Sequence, residues 1–228
     1  MFIGHFAVGF AAKRAAPEVK LWQALLAAGF LDVIWPVLIL SGAEQVIIEP
    51  GNTPMTPFNF VSYPWSHSLA MAVLWGVLFG AVYKWRSGTR RGAIWLGVLV
   101  VSHWVLDFVS HRPDMPIVPG VDLKLGLGLW YSVPATVLVE VSMFAIGLAL
   151  YVADTRAKDR QGSISLTVLA GILLVAYGVN LAAPPPPSVA AVGIGGLAGM
   201  ALTLLLALWV DRHRVNTARQ SRVSARSN

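Results

Sequence analysis

The chain has 228 residues, of which 56% are hydrophobic and only 12% are charged, about half the charged fraction of an ordinary soluble domain. It contains no cysteine, which excludes disulfides and thiolate metal sites. Several apolar runs approach the length of about 20 residues that crosses a bilayer. The composition therefore predicts an all-α, polytopic membrane protein.

Hydropathy predicts seven apolar segments, at 2–12, 21–40, 65–83, 93–110, 129–151, 164–183 and 188–210. The first is too short for a straight crossing. We expect residues 1–151 to form a five-segment core that holds a site, 152–210 a two-segment helical hairpin that acts as scaffold, and 211–228 a basic cytoplasmic tail. Gly195 and Gly199, in the last segment, predict a close approach to another helix.

The net charge of +6 is explained by membrane topology rather than by nucleic-acid binding. Fifteen of the 17 Lys and Arg residues follow the first, third, fifth and seventh segments, and only Arg112 and Lys124 lie on the other side. The fifteen are Lys13, Arg14, Lys20, Lys84, Arg86, Arg90, Arg91, Arg156, Lys158, Arg160, Arg212, Arg214, Arg219, Arg222 and Arg226. The positive-inside rule then predicts an external N-terminus and a cytoplasmic C-terminus in a bacterial-type inner membrane.

Ionisable residues begin early in the chain. His5 lies near the outer end of the first segment, and Asp32 lies in the outer half of the second. Pro36 follows Asp32 by four residues and predicts a helix kink there. The connection 41–64 contains four prolines and no basic residue, so it is either a lid or rim over the outer opening or a passive loop.

The third segment opens with the sequence W-S-H-S-L, which places Ser66, His67 and Ser68 at its outer mouth. Tyr63 and Trp65 precede or begin this segment and are expected to be interfacial anchors. A histidine at this position is either part of a site or an isolated residue at a helix start.

The fourth segment ends with S-H-W-V-L-D-F-V-S-H-R-P-D, where His103, Asp107 and His111 recur every four residues. On an α-helix this spacing gives one polar stripe, and His103 and Asp107 are close enough to share a metal ion. His111 is about 12 Å of helix rise from His103, so it needs a second ion or a frayed helix end. Alone, any one of these residues could simply hydrogen-bond a neighbouring helix.

Together these residues predict a metal centre that opens to the external face. The predicted ligands are His5, Asp32, His67, His103, Asp107 and His111, supported by Ser66, Ser68, Asp114 and Glu140. Imidazole and carboxylate suit zinc, and also manganese or iron, and six candidates leave room for one or two ions with Asp107 as the bridge. A divalent metal lowers the pKa of bound water and so supplies a nucleophile for hydrolysis.

The pattern of His5, L-D-V at Asp32, W-S-H-S-L and S-H-x-x-x-D resembles the LexA-binding, inner-membrane-associated metal-dependent hydrolases. The resemblance covers roughly residues 1 to 115. It implies a membrane-bound hydrolase that depends on a divalent metal.

Three classes of function follow from this sequence, and the third, a purely structural or partner-binding protein, predicts that the candidate ligands can be lost without consequence. The first is hydrolysis of a lipid-linked or amphiphilic ester, with Asp32, His111 and Arg112 as catalytic residues and phosphoesters favoured because Arg112 could clamp a phosphate. The second is a transporter or a metal-binding membrane protein without catalysis, although the two last segments lack the ionisable groups that a transporter usually carries. The expected partners are membrane lipids and an amphiphilic small molecule, not nucleic acid.

Overall fold

The computed structural model describes residues 1–217, except for the side chain of Ser87, and helices make up most of this part of the chain. The helices are α1 (Ile3–Ala15), α2 (Leu21–Ala28), α3 (Leu31–Leu40), α4 (Pro64–His67), α5 (Leu69–Ser87), α6 (Arg90–Ser110), α7 (Val133–Asp154), α8 (Arg160–Ala182) and α9 (Val189–His213), with a 3₁₀ turn at Leu129–Tyr131.

Five of these helices, α5 to α9, are long and apolar enough to cross a membrane, and α2 with α3 forms a sixth candidate as a bent pair. They correspond to six of the seven predicted segments. The remaining segment is α1, whose 13 residues are fewer than the roughly 20 that a straight crossing requires. The described residues therefore have five or six helices of sufficient length.

The bend in the second segment does not lie at Pro36, where the sequence predicted it. Instead α2 ends at Ala28, Gly29 is its C-cap, and α3 starts at Leu31 with an angle of 54° between the two axes. Pro36 lies inside a continuing α3. A Cβ on Gly29 would overlap the side-chain end of Met200 in α9, so glycine permits the broken segment to pack closely there.

The prediction of an all-α chain was incomplete, because three short antiparallel strand pairs connect the helices. The strands are β1 (Gln45–Ile48) with β2 (Phe58–Ser62), β3 (Met115–Pro116) with β4 (Lys124–Leu125), and β5 (Thr155–Ala157) with β6 (Arg214–Asn216). The β1–β2 hairpin occupies the proline-rich connection. Its Val46 is buried while Ile47 is exposed, the alternation of a strand with one covered face.

The basic connections meet at one end of the helix bundle. Arg14 in the last turn of α1 pairs with Asp154 at the end of α7, and Arg91 at the start of α6 donates to the Ala15 carbonyl at 2.6 Å. Asp211 near the end of α9 accepts from the first two amides of α2, where a carboxylate satisfies unpaired donors.

His213 belongs to the same end. Its Nδ1 lies 2.9 Å from Asp159 Oδ2, and this hydrogen bond lowers the pKa of the Asp159 carboxyl. Of the predicted cytoplasmic tail (211–228), the first residues end α9 and form β6, and the residues from 218 onward lie outside the described part of the chain.

Helix α1 occupies the centre of the bundle despite its short length. Ile3 and Phe10 are fully buried, and α1 lies so close to α7 that a Cβ on Gly147 would overlap the backbone of Ala7. The small residue lets the two backbones approach. This packing fixes the depth at which His5, one turn into α1, meets the other helices.

Candidate metal centre

Five of the six predicted ligands converge at one place, from four different helices. His5 comes from α1, Asp32 from α3, His67 from α4, and His103 and Asp107 from α6. They form two overlapping groups that share His103, and within each group the candidate ligand atoms lie within 4.8 Å of one another.

Four of these residues, drawn from both groups, bring two imidazole nitrogens close to two carboxylate oxygens. Nε2 of His67 lies 3.6 Å from Asp32 Oδ1 and 3.7 Å from Asp107 Oδ2. Nε2 of His103 lies 3.6 Å and 3.1 Å from the same two oxygens. A tetrahedron with metal–ligand bonds of about 2.0–2.1 Å has edges of about 3.3–3.4 Å. The four nitrogen–oxygen separations, of the six edges that a tetrahedron has, lie close to this length.

The ring of His103 is oriented by the break between α2 and α3. Its Nδ1 lies 2.7 Å from the carbonyl oxygen of Ala28, the last residue of α2, whose carbonyl is among those without a helical partner. A carbonyl can only accept, so Nδ1 carries the proton and donates. In the neutral ring, Nε2 then presents a lone pair toward Asp32 and Asp107, as metal-binding histidines do.

The ring of His67 is oriented by a chain of two further residues. Ser66 Oγ donates to Glu44 Oε2 at 2.6 Å, because an ionised carboxylate can only accept. His67 Nδ1 lies 2.7 Å from the same Ser66 oxygen and must therefore be the donor. His67 Nε2 is left with its lone pair facing the same two carboxylates.

Asp107 presents its two oxygens to different groups. Oδ2 faces His67 and His103, whereas Oδ1 lies 3.1 Å from His5 Nε2 and pairs with the amino group of Met1. The rings of His5 and His103 stack in parallel with centroids 3.7 Å apart. The two oxygens of Asp107 therefore have different neighbours, and its role as a bridge between two ions stays a prediction.

Glu140 has a positioning role in this arrangement. Its Oε2 accepts from the backbone amides of Phe2 and Gly4 at 2.8 and 3.0 Å, the unpaired donors at the start of α1. It is fully buried and lies outside both metal-sized groups. Glu140 therefore holds the N-terminal turn of α1, and with it His5.

His111 is not part of the helical stripe that the spacing predicted. Helix α6 ends at Ser110, and His111 is its C-cap in an extended conformation. Its Nδ1 lies 3.0 Å from Asp114 Oδ1, which also accepts from the Tyr63 hydroxyl. His111 is thus separate from the two ligand groups and forms a histidine–carboxylate pair beside them.

Tyr63 was expected to anchor the chain at the membrane interface, but it is 2% exposed. Burial, reinforced by the nearby Asp114 carboxylate, raises the pKa of Tyr63 well above its usual range. Its hydroxyl therefore remains a proton donor to Asp114. Trp65, the second predicted anchor, is half-exposed.

The remaining two predicted residues have other partners. The guanidinium of Arg112 contacts Asn52, Asn59 and Asp114, so it joins the β1–β2 hairpin to the loop after α6. Ser68 is the N-cap of α5 and accepts from the Met71 amide. Both residues support the structure around the centre.

The centre is accessible from one side. The Asp32 side chain is 45% exposed, whereas those of His67, His103 and Asp107 are 5% exposed or less. A cavity of about 130 Å³ is lined by Asp32, His67, Asp107 and His111. A metal held by all four residues would border this cavity, and water could reach it as a fifth ligand.

Sequence reasoning missed Glu44, which is 2% exposed and accepts from the amides of Trp65 and Ser66 as well as from the Ser66 hydroxyl. It was assigned to a loop because it stands among polar and proline residues. A signal was present nonetheless, since Pro64 begins the short helix α4 and a helix start favours an anionic partner.

No known protein family, curated protein or solved structure matches this chain. The assignment of the centre therefore depends on its own geometry. The Asp32 and Asp107 carboxylates face Nε2 of His67 and of His103, and Nδ1 of each ring already donates a hydrogen bond. This arrangement requires a cation, either a proton shared with the rings or a metal ion.

The orientation of His67 generates a testable prediction. Ser66→Ala removes the acceptor for Nδ1 but no ligand, so metal affinity should fall by about 10- to 100-fold, measured by competition with a chelating dye. Ser102→Ala is the matched control, because Ser102 stands beside His103 but its hydroxyl donates to the Leu99 carbonyl. Equal affinities in the two variants would contradict a metal bound at His67.

Proposed function

We propose that this protein is a membrane-embedded, metal-dependent hydrolase that cleaves a lipid-linked or amphiphilic ester. The observation that carries the proposal is the convergence of two imidazole nitrogens and two carboxylates, 3.1 to 3.7 Å apart, beside a cavity. The chemistry of these donors favours zinc, with manganese or iron as alternatives. Bound there, a divalent ion polarises the substrate and activates water.

The motif resemblance supports the same proposal. His5, Asp32, His67, His103 and Asp107 are the residues that carry the likeness to the LexA-binding, membrane-associated hydrolases, and they are also the residues that meet in space. Residues selected by a sequence pattern alone would be expected to scatter across the fold if the pattern were accidental.

The neighbouring His111 supplies the proton transfer that hydrolysis requires. In the reaction the oxygen of water bonds to the carbonyl carbon or phosphorus, the bond to the alcohol oxygen breaks, and that oxygen takes a proton. Asp114 holds Nδ1 of His111, which leaves Nε2 to accept the proton of water and return it to the alcohol. His111 lines the same cavity as Asp107 and Asp32.

We further propose that the centre faces the exterior or periplasm. The basic connections, which the positive-inside rule assigns to the cytoplasm, meet at one end of the bundle through Arg14, Arg91 and Lys158. The β1–β2 hairpin and the loop after α6 lie at the other end, next to the metal centre.

The metal and the reaction can be tested together. Asp107→Asn preserves the shape of the side chain but removes its charge, so it should lose the metal and nearly all hydrolysis of p-nitrophenyl butyrate or bis(p-nitrophenyl) phosphate. His111→Gln should keep the metal, because His111 is outside both ligand groups, yet lose about 10²- to 10⁴-fold in turnover. Metal content is measured by elemental analysis of detergent-purified protein.

The control is His213→Ala. His213 ends α9 at the basic end of the bundle, away from the metal centre, so this variant should keep its metal content and its activity. If Asp107→Asn retains its metal and full activity, the proposed centre is wrong. Stoichiometric metal without turnover of either ester would favour the alternative of a metal-binding membrane protein without catalysis.

The proposed orientation of the protein in the membrane can be tested separately. Because the chain has no native cysteine, an introduced cysteine is the only thiol that can be labelled. Cysteine at Asp122, an exposed position between β3 and β4, should react with an impermeant maleimide added to intact cells. Cysteine at Arg160, the first residue of α8 at the basic end, should react only after the cells are opened. The reverse labelling would place the metal centre on the cytoplasmic side.

A further inference from the structure

A second, larger cavity extends from the metal centre toward the final two helices. Its volume is about 790 Å³, within the range of small-molecule sites. One end is lined by His5, Asp32 and Trp35, the roof by the tip of the β1–β2 hairpin (49–58), and the long wall by apolar residues of α8 and α9. The cavity thus joins a polar end to a membrane-type apolar wall.

The wall contains glycines that no helix contacts. A Cβ at Gly195 or Gly199 would meet no atom within 4 Å, whereas at Gly193 it would meet the Leu40 side chain at 2.7 Å. The sequence predicted that Gly195 and Gly199 serve close helix packing. In the structure they instead border the cavity, where the missing side chains leave space for another molecule.

The polar end presents hydrogen-bonding atoms that nothing in the described chain satisfies. Nε1 of Trp35 and Nδ1 of His5 are buried and have no partner among the described residues, and both residues line the cavity. Trp35 is 8% exposed and His5 is 1% exposed. Buried donors are normally paired, and an ester or phosphate oxygen at this end would accept from the indole N–H.

The length of the wall fits one hydrocarbon chain. From Ala191 to Thr203, the α9 residues that line the cavity, the helix rises about 18 Å at 1.5 Å per residue. Half of a hydrocarbon core of about 30 Å is about 15 Å. The wall therefore spans the depth of a single leaflet.

We infer that this cavity binds one acyl chain of a bilayer lipid, with the ester group held at Trp35 beside the metal centre. The walls belong to α8 and α9, which are both apolar enough to lie in the membrane, so a lipid reaches them without leaving the bilayer. The inference rests on the proposed hydrolase for the fate of the ester, but occupancy by the lipid is measurable without any reaction.

The experiment uses the full chain in nanodiscs of phosphatidylglycerol with a photoreactive diazirine near the carboxyl end of one acyl chain. Illumination should label the peptides that contain Trp35 and Met55, each 8% exposed and therefore shielded from lipids that merely surround the protein. Labelling is located by mass spectrometry, and metal content is measured on the same samples.

The double variant Gly195→Leu with Gly199→Leu should fill the wall and reduce this labelling by about tenfold, with metal content unchanged. Gly171→Leu is the matched control, because Gly171 of α8 also has nothing within 4 Å of a Cβ but does not line the cavity. It should leave labelling as in the natural protein.

Absence of label on both peptides in the natural protein, or equal label in the filled variant, would overturn the lipid site. Labelling of the Trp35 and Met55 peptides in the natural protein tests the lipid site even if the double variant does not fold. Normal metal content without cavity labelling would contradict this inference alone, whereas cavity labelling without metal would contradict the proposed hydrolase and leave the lipid site standing.

Discussion

The negative charge of Asp32 and Asp107 inside an apolar helix bundle is the constraint on which the rest of this structure depends. A carboxylate removed from water is costly unless a cation or several donors approach it. Here the approaching groups are imidazoles, and both His67 and His103 present the nitrogen that carries no proton in the neutral ring. Opposed lone pairs and carboxylates repel one another until a cation lies between them.

Several irregular features of the fold serve this arrangement. The break after Ala28 leaves a carbonyl that orients His103, and the β1–β2 hairpin brings Glu44 to Ser66 and so orients His67. Glu140 holds the start of α1. Each is a departure from regular helix packing, and each positions a candidate ligand.

Much of the centre was predictable from sequence because ionisable residues stand out in apolar segments. The four-residue spacing predicted that His103 and Asp107 lie side by side. Asp32, His5 and His67 were added because each was predicted to lie toward the outer side of the membrane. The position of the helix break was not predictable in the same way. Pro36 carries a strong local signal, whereas the break at Gly29 lies where the chain packs against Met200 of a helix distant in sequence.

The residues around the ligands were harder to predict than the ligands. Glu44 and Tyr63 are buried only because the hairpin folds back over α4, a long-range arrangement that local pattern does not encode. His111 was placed on the helix by its spacing, yet α6 ends one residue earlier and directs it to Asp114. Gly195 and Gly199 fit a packing motif but line a cavity instead.

X-ray absorption at the zinc edge tests the central claim most directly, using protein purified in detergent after expression with zinc. A centre built from His67, His103, Asp32 and Asp107 gives nitrogen and oxygen neighbours at about 2.0–2.1 Å, with outer-shell scattering from at least two imidazole rings. Protein that carries no zinc, or zinc without imidazole scattering, would contradict a metal at this site.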